Sequence, residues 1–198
     1  MGTQIKALLK LATQRKTVRE FKRAIPSVEN IEEVLNTVCQ APSGSNMQPW
    51  RFMVIDDPKL KTGIRQAAEI GEKAFHEKLS EEKKNKYQTM GVSWQKPMLE
   101  QAPILIAVLS DRNSPNSKPS VWLAVGYLVL GLEAVGLGSV TYTPSDYKKV
   151  QAVLEVPDEF KLETILPIGY SNDSKVKGYR KPLEEVTYRN RWGEPLKR

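Results

Sequence analysis

The sequence predicts a single domain in which helices pack in layers on a β-sheet, and this fold class rests on two patterns. Helical and strand-like segments alternate along the chain, as is typical of a layered arrangement. The apolar run ILIAVLS at 104–110 predicts a strand buried within the sheet. No internal repeat or shift in composition divides the 198 residues, so we expect one domain over 1–198.

The remaining elements follow from periodicity and from residues that begin or end helices. Residues 3–14 carry an apolar stripe at helical spacing. Ser27 is a good N-cap, with Asn30 as an alternative start, for a second helix that runs to about Gln40. Further helices are expected from about 57 and over 146–156, and strands at 51–56, 139–143 and 162–171.

The segment 121–138 is apolar over about the length that spans a bilayer. Its one charged residue is Glu133, but it lacks the flanking basic cluster and the aromatic belts of a transmembrane helix. We therefore expect a helix buried in the core or in a subunit interface. Because the segment is more apolar than packing on one sheet face requires, it favours association with a second subunit.

Composition and charge exclude several kinds of site. One cysteine, Cys39, and one histidine, His76, can form neither a disulfide framework nor a closed zinc site. The serine-hydrolase, metalloprotease and Walker motifs are missing from the sequence. The net charge of +7 favours an anionic partner: nucleic acid, a membrane surface or a phosphorylated cofactor. Residues 1–16 are amphipathic and do not resemble a signal peptide, so we expect a cytoplasmic protein.

Residues 71–96, termed here the capping segment, are rich in charge, above all in EKLSEEKKNKYQ. Such a composition is typical of a solvated helix or lid and not of a core. A nucleic-acid-binding surface would interleave aromatic residues with Lys and Arg, whereas this run mixes acids with its basic residues. We therefore expect the segment to cap a pocket, and nucleic-acid binding stays the less favoured alternative.

Two groups of basic residues lie at the predicted ends of elements, one after the first helix and one after the last strand. Forked guanidinium groups together with a Thr hydroxyl suit a bound phosphate. A polar loop, residues 42–48, lies between a predicted helix and a predicted strand and is bracketed by prolines. The basic groups consist of Arg15, Lys16, Thr17 and Arg19, and of Arg180 and Lys181.

RKTVREF, APSGSNMQPWRF, GLGSVTYTP and PLEEVTYRNRW, in this order, resemble the FMN-dependent nitroreductase family from residue 15 onward. The first family motif, Arg-(Arg/His)-Ser-x-(Arg/Lys), has Lys16 and Thr17 at its second and third positions here. The second motif, Pro-Ser-x-x-Asn-x-Gln-Pro-Trp, is matched in full. The resemblance implies an α+β fold: a three-layer α/β/α sandwich with a mostly antiparallel sheet, intertwined as a homodimer with FMN at the subunit interface.

The resemblance also implies a role for each site residue. The first basic group would hold the phosphate, the ribityl chain and the pyrimidine edge of FMN, with Arg19 stabilising the anionic reduced ring. The polar loop would reach across from the partner subunit, its neutral hydrogen-bonding groups facing the flavin; a turn without a ligand is the alternative. The other implied contacts are Pro42, Ser43, Gly44, Asn46 and Gln48 in the loop, Thr143 and Pro144 near N5, Gln95 or Lys96, and Arg180 with Lys181 at the phosphate.

The implied function is that of an FMN-dependent NAD(P)H oxidoreductase, with no catalytic side chain beyond those that hold the flavin. NADH or NADPH would deliver a hydride to N5 and leave before a nitroaromatic, quinone or flavin acceptor enters. A flavin-binding sensor or store without turnover is the alternative. Dehalogenating branches tend to carry His-Thr-Glu-Pro-Trp where this chain has residues 46–50, NMQPW, so we expect it to lie outside them. The tail, 184–198, is expected to pack on the partner.

Overall fold

An antiparallel sheet forms the middle layer of the computed structural model, which describes residues 2–89 and 92–196. Within these residues the sheet has four strands in the order β1-β2-β4-β3. β2 and β4 pair along most of their length and are buried over nearly all of it. The strands are β1 (Trp50–Ile55), β2 (Ile104–Asp111), β3 (Gly138–Ser139) and β4 (Phe160–Gly169).

Helices cover both faces of this sheet and enclose two separate apolar cores. The first core lies between the sheet and two helices, α2 (Val28–Val38) and α6 (Ser117–Ala134). The second lies against α3 (Pro58–Glu77), α5 (Met98–Gln101) and α7 (Tyr147–Val153). The expected three-layer α/β/α sandwich is therefore confirmed. The remaining helices are α1 (Thr3–Gln14), α4 (Glu81–Thr89) and α8 (Leu183–Val186).

Local signals explain where the helices begin. Ser27 Oγ accepts a hydrogen bond from Asn30 N, which confirms the predicted N-cap of α2. Asp57 caps α3 in the same way, accepting from Leu60 N, and Pro58 occupies the first turn. α3 continues to Glu77, so it takes in the first residues of the capping segment. α4 supplies much of the rest and has no buried residue, while residues 90 and 91 of that segment lie outside the described residues.

Two predicted elements differ from the structure. The helix expected over 121–138 begins at Ser117 and ends at Ala134, and Gly136 follows it with φ of 75°. The strand expected over 139–143 is reduced to β3 and an isolated bridge between Tyr142 and Ile165. Pro144 has no N–H group with which to continue the ladder, so the chain leaves the sheet there.

The helix α6 is apolar all round in sequence, but only one of its faces is buried. One face is buried in the first core, and the opposite face exposes Leu123 and Tyr127. In the part of the chain that the structure describes, no helix is both long enough and apolar enough to cross a membrane. Several apolar residues of α1 are likewise exposed, among them Leu8 and Leu9.

The second core offers a direct test of its contribution to stability. Ile64 is fully buried in α3, whereas Ile70 of the same helix is 59% exposed. Ile64→Ala should lower the free energy of unfolding by about 2–5 kcal/mol, because it leaves a cavity. The matched Ile70→Ala should lower it by less than about 1 kcal/mol. Urea denaturation measures both, and equal losses would contradict the assignment of this core.

Candidate functional site

The first basic group lies along the edge of the sheet. Val18 N donates to Ser139 O over 2.9 Å. A Cβ atom on Gly138 would lie 2.7 Å from Val18 Cγ2, so a residue with a side chain at 138 would push the two segments apart. This close pairing brings Arg19 and Thr143, two of the predicted site residues, to the same cavity.

Asp173 fastens the first basic group to the chain that follows β4. Arg19 N donates to Asp173 Oδ2 over 3.1 Å, and Thr17 is half-buried where it bridges β3. Lys16 Nζ donates to the backbone carbonyls of Asp173 and Lys175 at 2.6 and 2.7 Å. Burial opposes ionisation of Asp173, but N–H donors from Lys175 and Arg19 and the nearby ammonium groups hold its pKa below the ordinary value.

Arg15 and Arg180 lie near a third cation, Lys177, which donates hydrogen bonds to two carbonyl oxygens at the end of α1. Loss of hydration and the positive charges of Arg180 and Arg15 lower the pKa of this ammonium. The carboxylate of Glu133 acts in the opposite direction. Three cations and one carboxylate leave an excess of two positive charges, which suits a phosphate monoester. Lys181 follows this cluster and is exposed.

A cavity of about 730 Å³ opens beside Arg19 and Thr143. Thr143 and the buried Pro144 also line a smaller cavity of about 410 Å³. In the described residues, no group of His, Cys, Asp and Glu side chains could hold a metal ion. The lining of the larger cavity combines aromatic, polar and charged side chains, among them Phe75, His76, Tyr87, Gln95, Asn172 and Lys175.

One wall of this cavity is built around a buried carboxylate, that of Glu72, which is 6% exposed. Its Oε1 atom accepts from Tyr142 OH at 3.0 Å and from Ser145 N and Oγ at 3.0 and 2.7 Å. Its Oε2 atom lies 3.2 Å from Lys96 Nζ. Burial raises the pKa of Glu72, but the bonds from Ser145 and the charge of Lys96 outweigh burial and lower it. Burial, followed by the charge of Glu72, raises the pKa of Tyr142.

The polar loop has a strained backbone that its own contacts maintain. Ser43 Oγ accepts from Gln48 N at 3.0 Å, and Ser120 Oγ accepts from Gly44 N at 3.1 Å. Pro42 is exposed where the loop begins. Strain of this kind persists where surrounding contacts fix it, and it is common at ligand sites. The left-handed residues are Ser45, Asn46 and Gln48, with φ of 50°, 54° and 48°.

Within one chain, the polar loop and the larger cavity approach opposite ends of β2. Pro49 O, directly after the loop, accepts from Asp111 N at the end of β2. Ser139, beside the first basic group, pairs with Ile168, which faces Ile104 at the start of β2. A strand of eight residues separates these ends by about 20 Å. A single chain therefore does not bring the loop together with the first basic group.

Several residues of the site were not identified from the sequence, among them Asp173, Lys177 and Glu72. Asp173 and Lys177 stand in SNDSKVKGYRKP, where the basic residues could have extended the search beyond Arg180 and Lys181. Glu72 carries no local signal, because its partners Tyr142 and Ser145 are 70 and 73 residues away. Its position in a charge-rich segment predicts exposure, and the structure shows that this is wrong for Glu72.

Comparisons with known proteins add an independent observation. The family model described as "Nitroreductase family" matches residues 12–170. The chain is 46% identical over 185 residues to an iodotyrosine deiodinase of Thermotoga neapolitana, covering 93% of this chain and 98% of that protein. It is 39% identical over 168 residues to one of Haliscomenobacter hydrossis, covering 79% and 75%.

A solved structure resembles the whole fold. It is a crystal structure of oxidized iodotyrosine deiodinase bound to FMN and 3-iodo-L-tyrosine, with a TM-score of 0.87 and 45% identity. The alignment covers 93% of this chain and 98% of that chain.

These relatives are deiodinases, so they do not support the expectation that the chain lies outside the dehalogenating branches. The expectation rested on residues 46–50 alone, and a single loop tolerates substitution without reflecting the similarity of the whole chain. The resemblance to the wider family, in contrast, is confirmed across most of the sequence. By its matched family model, its fold and its relatives, this chain belongs to the nitroreductase family.

Proposed function

We propose that the protein is an FMN-dependent reductase that removes the halogen from a halogenated tyrosine such as 3-iodo-L-tyrosine. The similarity to iodotyrosine deiodinases over 93% of the chain carries this proposal, and the cavity beside Arg19 and Thr143 supports it. The overall reaction exchanges a carbon–halogen bond for a carbon–hydrogen bond. It consumes two electrons and one proton and releases halide.

FMN would be held by both basic groups and by the polar loop. The cluster of Arg15, Lys177 and Arg180 has the excess positive charge that its phosphate requires. Arg19 would stabilise negative charge on the reduced ring, and Thr143 would lie near N5. When bound, FMN supplies the carrier that takes electrons from a donor and passes them to an acceptor.

The larger cavity suits an aromatic acceptor. The rings of Phe75 and His76 are 5.9 Å apart at their centroids, and those of His76 and Tyr87 are 5.7 Å apart. The contact between His76 and Tyr87 joins the end of α3 to α4, so the capping segment would cover a substrate ring and exclude water. The carboxylate of an amino-acid substrate would meet amide and ammonium donors in the same cavity, from Gln95, Asn172 and Lys175.

A second candidate is ping-pong reduction of a nitroaromatic, quinone or flavin with NADH or NADPH as the donor. Residues 46–50, NMQPW, favour it, because they depart from the pattern of the dehalogenating branches. Both candidates use the same flavin site and the same cavity, so they differ in the acceptor that reoxidises the flavin. If no acceptor reoxidises the flavin, the protein would be a flavin-binding protein without turnover.

We also propose a homodimer in which each flavin site draws on both subunits. The distance of about 20 Å between the ends of β2 supports this proposal, because the polar loop and the first basic group of one chain do not meet. The outer face of α6 supports this arrangement, because Leu123 and Tyr127 are 51% and 41% exposed there. Contiguous apolar surface of this kind is typical of a protein interface.

The tail, 184–198, would pack on the partner subunit. Trp192 is 89% exposed, and its ring lies 4.6 Å from that of Tyr188. Val186 in α8 is 55% exposed. A second subunit would remove this apolar surface from water. Residues 197 and 198 of the tail lie outside the described residues.

The phosphate clamp is tested by Arg180→Met, which removes one cation without changing the buried core. The variant should bind FMN about tenfold to a hundredfold more weakly, as expected for a lost hydrogen bond between charged groups. Its affinity for riboflavin, which has no phosphate, should change little. Fluorescence titration measures both affinities, with Arg23→Met as the charge-matched control. Equal weakening of both ligands would contradict a role at the phosphate.

The shared site is tested by Leu123→Arg, which places a charge on the outer face of α6. We expect a monomer that has lost FMN, because an unpaired charge in an apolar interface is costly. Ile70→Arg, on the exposed face of α3, should stay dimeric and yellow. Sedimentation velocity with absorbance detection measures both properties. A wild-type monomer of 22.4 kDa that retains FMN would contradict a site built from two subunits.

The reaction is tested under anaerobic conditions by reducing the bound flavin and then adding acceptors. NADH and NADPH are tried first, and dithionite supplies electrons if neither bleaches the flavin. 3-Iodo-L-tyrosine should then restore the oxidised spectrum and yield L-tyrosine and iodide, while L-tyrosine itself should have no effect. Chromatography of the products measures the turnover.

Other outcomes separate the candidates. Reoxidation by a nitroaromatic or quinone, with no reaction of 3-iodo-L-tyrosine, would overturn dehalogenation and support the second candidate. A flavin that no acceptor reoxidises would support a binding protein without turnover. A protein that cannot be loaded with FMN would overturn the proposed function as a whole.

A further inference from the structure

Glu72 is a buried carboxylate for which the proposed electron transfer has no direct use. It lies near the end of α3 and is 6% exposed. Burying a carboxylate is unfavourable unless hydrogen bonds and an opposite charge compensate. Both are present here, and the groups that supply them belong to two different walls of the larger cavity.

The first wall is the turn at 142–145, which contains Thr143. Three donors of this turn converge on Glu72 Oε1: the Tyr142 hydroxyl at 3.0 Å, Ser145 N at 3.0 Å and Ser145 Oγ at 2.7 Å. This turn has left the sheet after its bridge at Tyr142. Its shape beyond that point therefore depends on Glu72 more than on strand pairing.

The second wall is the end of the capping segment, where the chain returns to the sheet. Lys96 Nζ lies 3.2 Å from Glu72 Oε2 and also donates to Ser93 O. Lys96 N donates to Glu69 Oε1 over 2.8 Å. One side chain of α3 thus fixes the ammonium at the base of the segment that covers the cavity.

We propose that Glu72 is a positioning residue that sets Thr143 against the flavin and holds the base of the capping segment in place. For the flavin this inference rests on the proposed function, whereas the two hydrogen-bonded walls are properties of the chain itself. Glu72 does not touch the reacting atoms. It acts through Ser145 and Tyr142 on one side and through Lys96 on the other.

The chemistry of the site requires a carboxylate and not an amide. A carboxylate accepts hydrogen bonds at both oxygens, so it can receive three donors at Oε1 and an ammonium at Oε2. Glutamine at 72 would turn an NH₂ group towards one of these donors. It would therefore release either the turn at 142–145 or Lys96, with little change in volume.

The test compares Glu72→Gln with Glu77→Gln, which removes the same charge from an exposed position of the same helix. Hydrogen exchange is first measured without flavin. If Glu72→Gln releases the turn, the amide of Ser145 loses its bond to a charged group and should exchange about tenfold faster or more. If it releases Lys96 instead, the base of the capping segment loosens, and the amide of Lys96, which donates to Glu69 Oε1, should exchange faster. The amides of β2 and β4 should exchange as in the wild type, and Glu77→Gln should exchange as the wild type throughout.

The loaded enzyme provides the second measurement. Turnover of the best acceptor should fall about tenfold or more in Glu72→Gln, while the affinity for FMN changes less than about threefold, because the phosphate clamp is intact. Ser145→Ala should lower turnover in the same direction. The double variant of Glu72→Gln with Ser145→Ala should be no worse than Glu72→Gln alone, because both changes break one network.

Several results would overturn the proposal. One is hydrogen exchange in Glu72→Gln that is as slow as in the wild type at both Ser145 and Lys96. Another is a loss of turnover in the double variant that equals the sum of the two single losses in free energy. Faster exchange across the whole of β2 and β4 would indicate a merely structural role. If Glu72→Gln does not fold, its combination with Lys96→Met removes the unpaired ammonium, and the same exchange measurement at Ser145 applies. If the wild-type protein cannot be loaded with FMN, the proposed function is overturned. Hydrogen exchange without flavin would still show whether Glu72 fixes the two walls.

Discussion

The pairing of β2 with β4 is the constraint on which the rest of the structure depends. Both strands are buried on both faces, so their backbone groups have no water to bond and must bond each other. The ladder runs from Ile104 and Ile168 at one end to Asp111 and Phe160 at the other, with one register shift between Val108 and Leu109. Each end carries one part of the site: the first basic group approaches near Ile168, and the polar loop approaches near Asp111.

Much of this architecture was predictable, because local signals specify its elements. The N-cap at Ser27, the apolar run of β2 and the helical stripe of α1 each agree with the structure. The strand predicted over 139–143 is shorter in the structure, because its pairing ends at Tyr142. The length of this strand depends on its pairing with β4, which is distant in sequence, and on Pro144, which cannot continue the ladder. The apolar helix α6 was found, but its residues alone did not show that one face would stay exposed.

The candidate site was predicted best where the residues stand in a sequence motif, such as RKTVREF or GLGSVTYTP. Arg19 and Thr143 do line one cavity. The residues that were missed, Asp173 and Glu72, make their contacts across 154 and 70 residues, and such contacts leave no periodic trace. The expectation drawn from residues 46–50 is not supported by the relatives, since one loop was given more weight than similarity spread over the whole chain.

The strained polar loop has a kinetic consequence. Because Ser43 and Ser120 already hold Ser45, Asn46 and Gln48 in left-handed conformations, the conformational entropy of ordering this loop is lost when the chain folds. A partner surface would therefore meet a loop that is already ordered, and little further conformational entropy would be lost on binding. A partner would associate with such a loop by the docking of preformed shapes, and differences in affinity among variants would arise mainly from the dissociation rate.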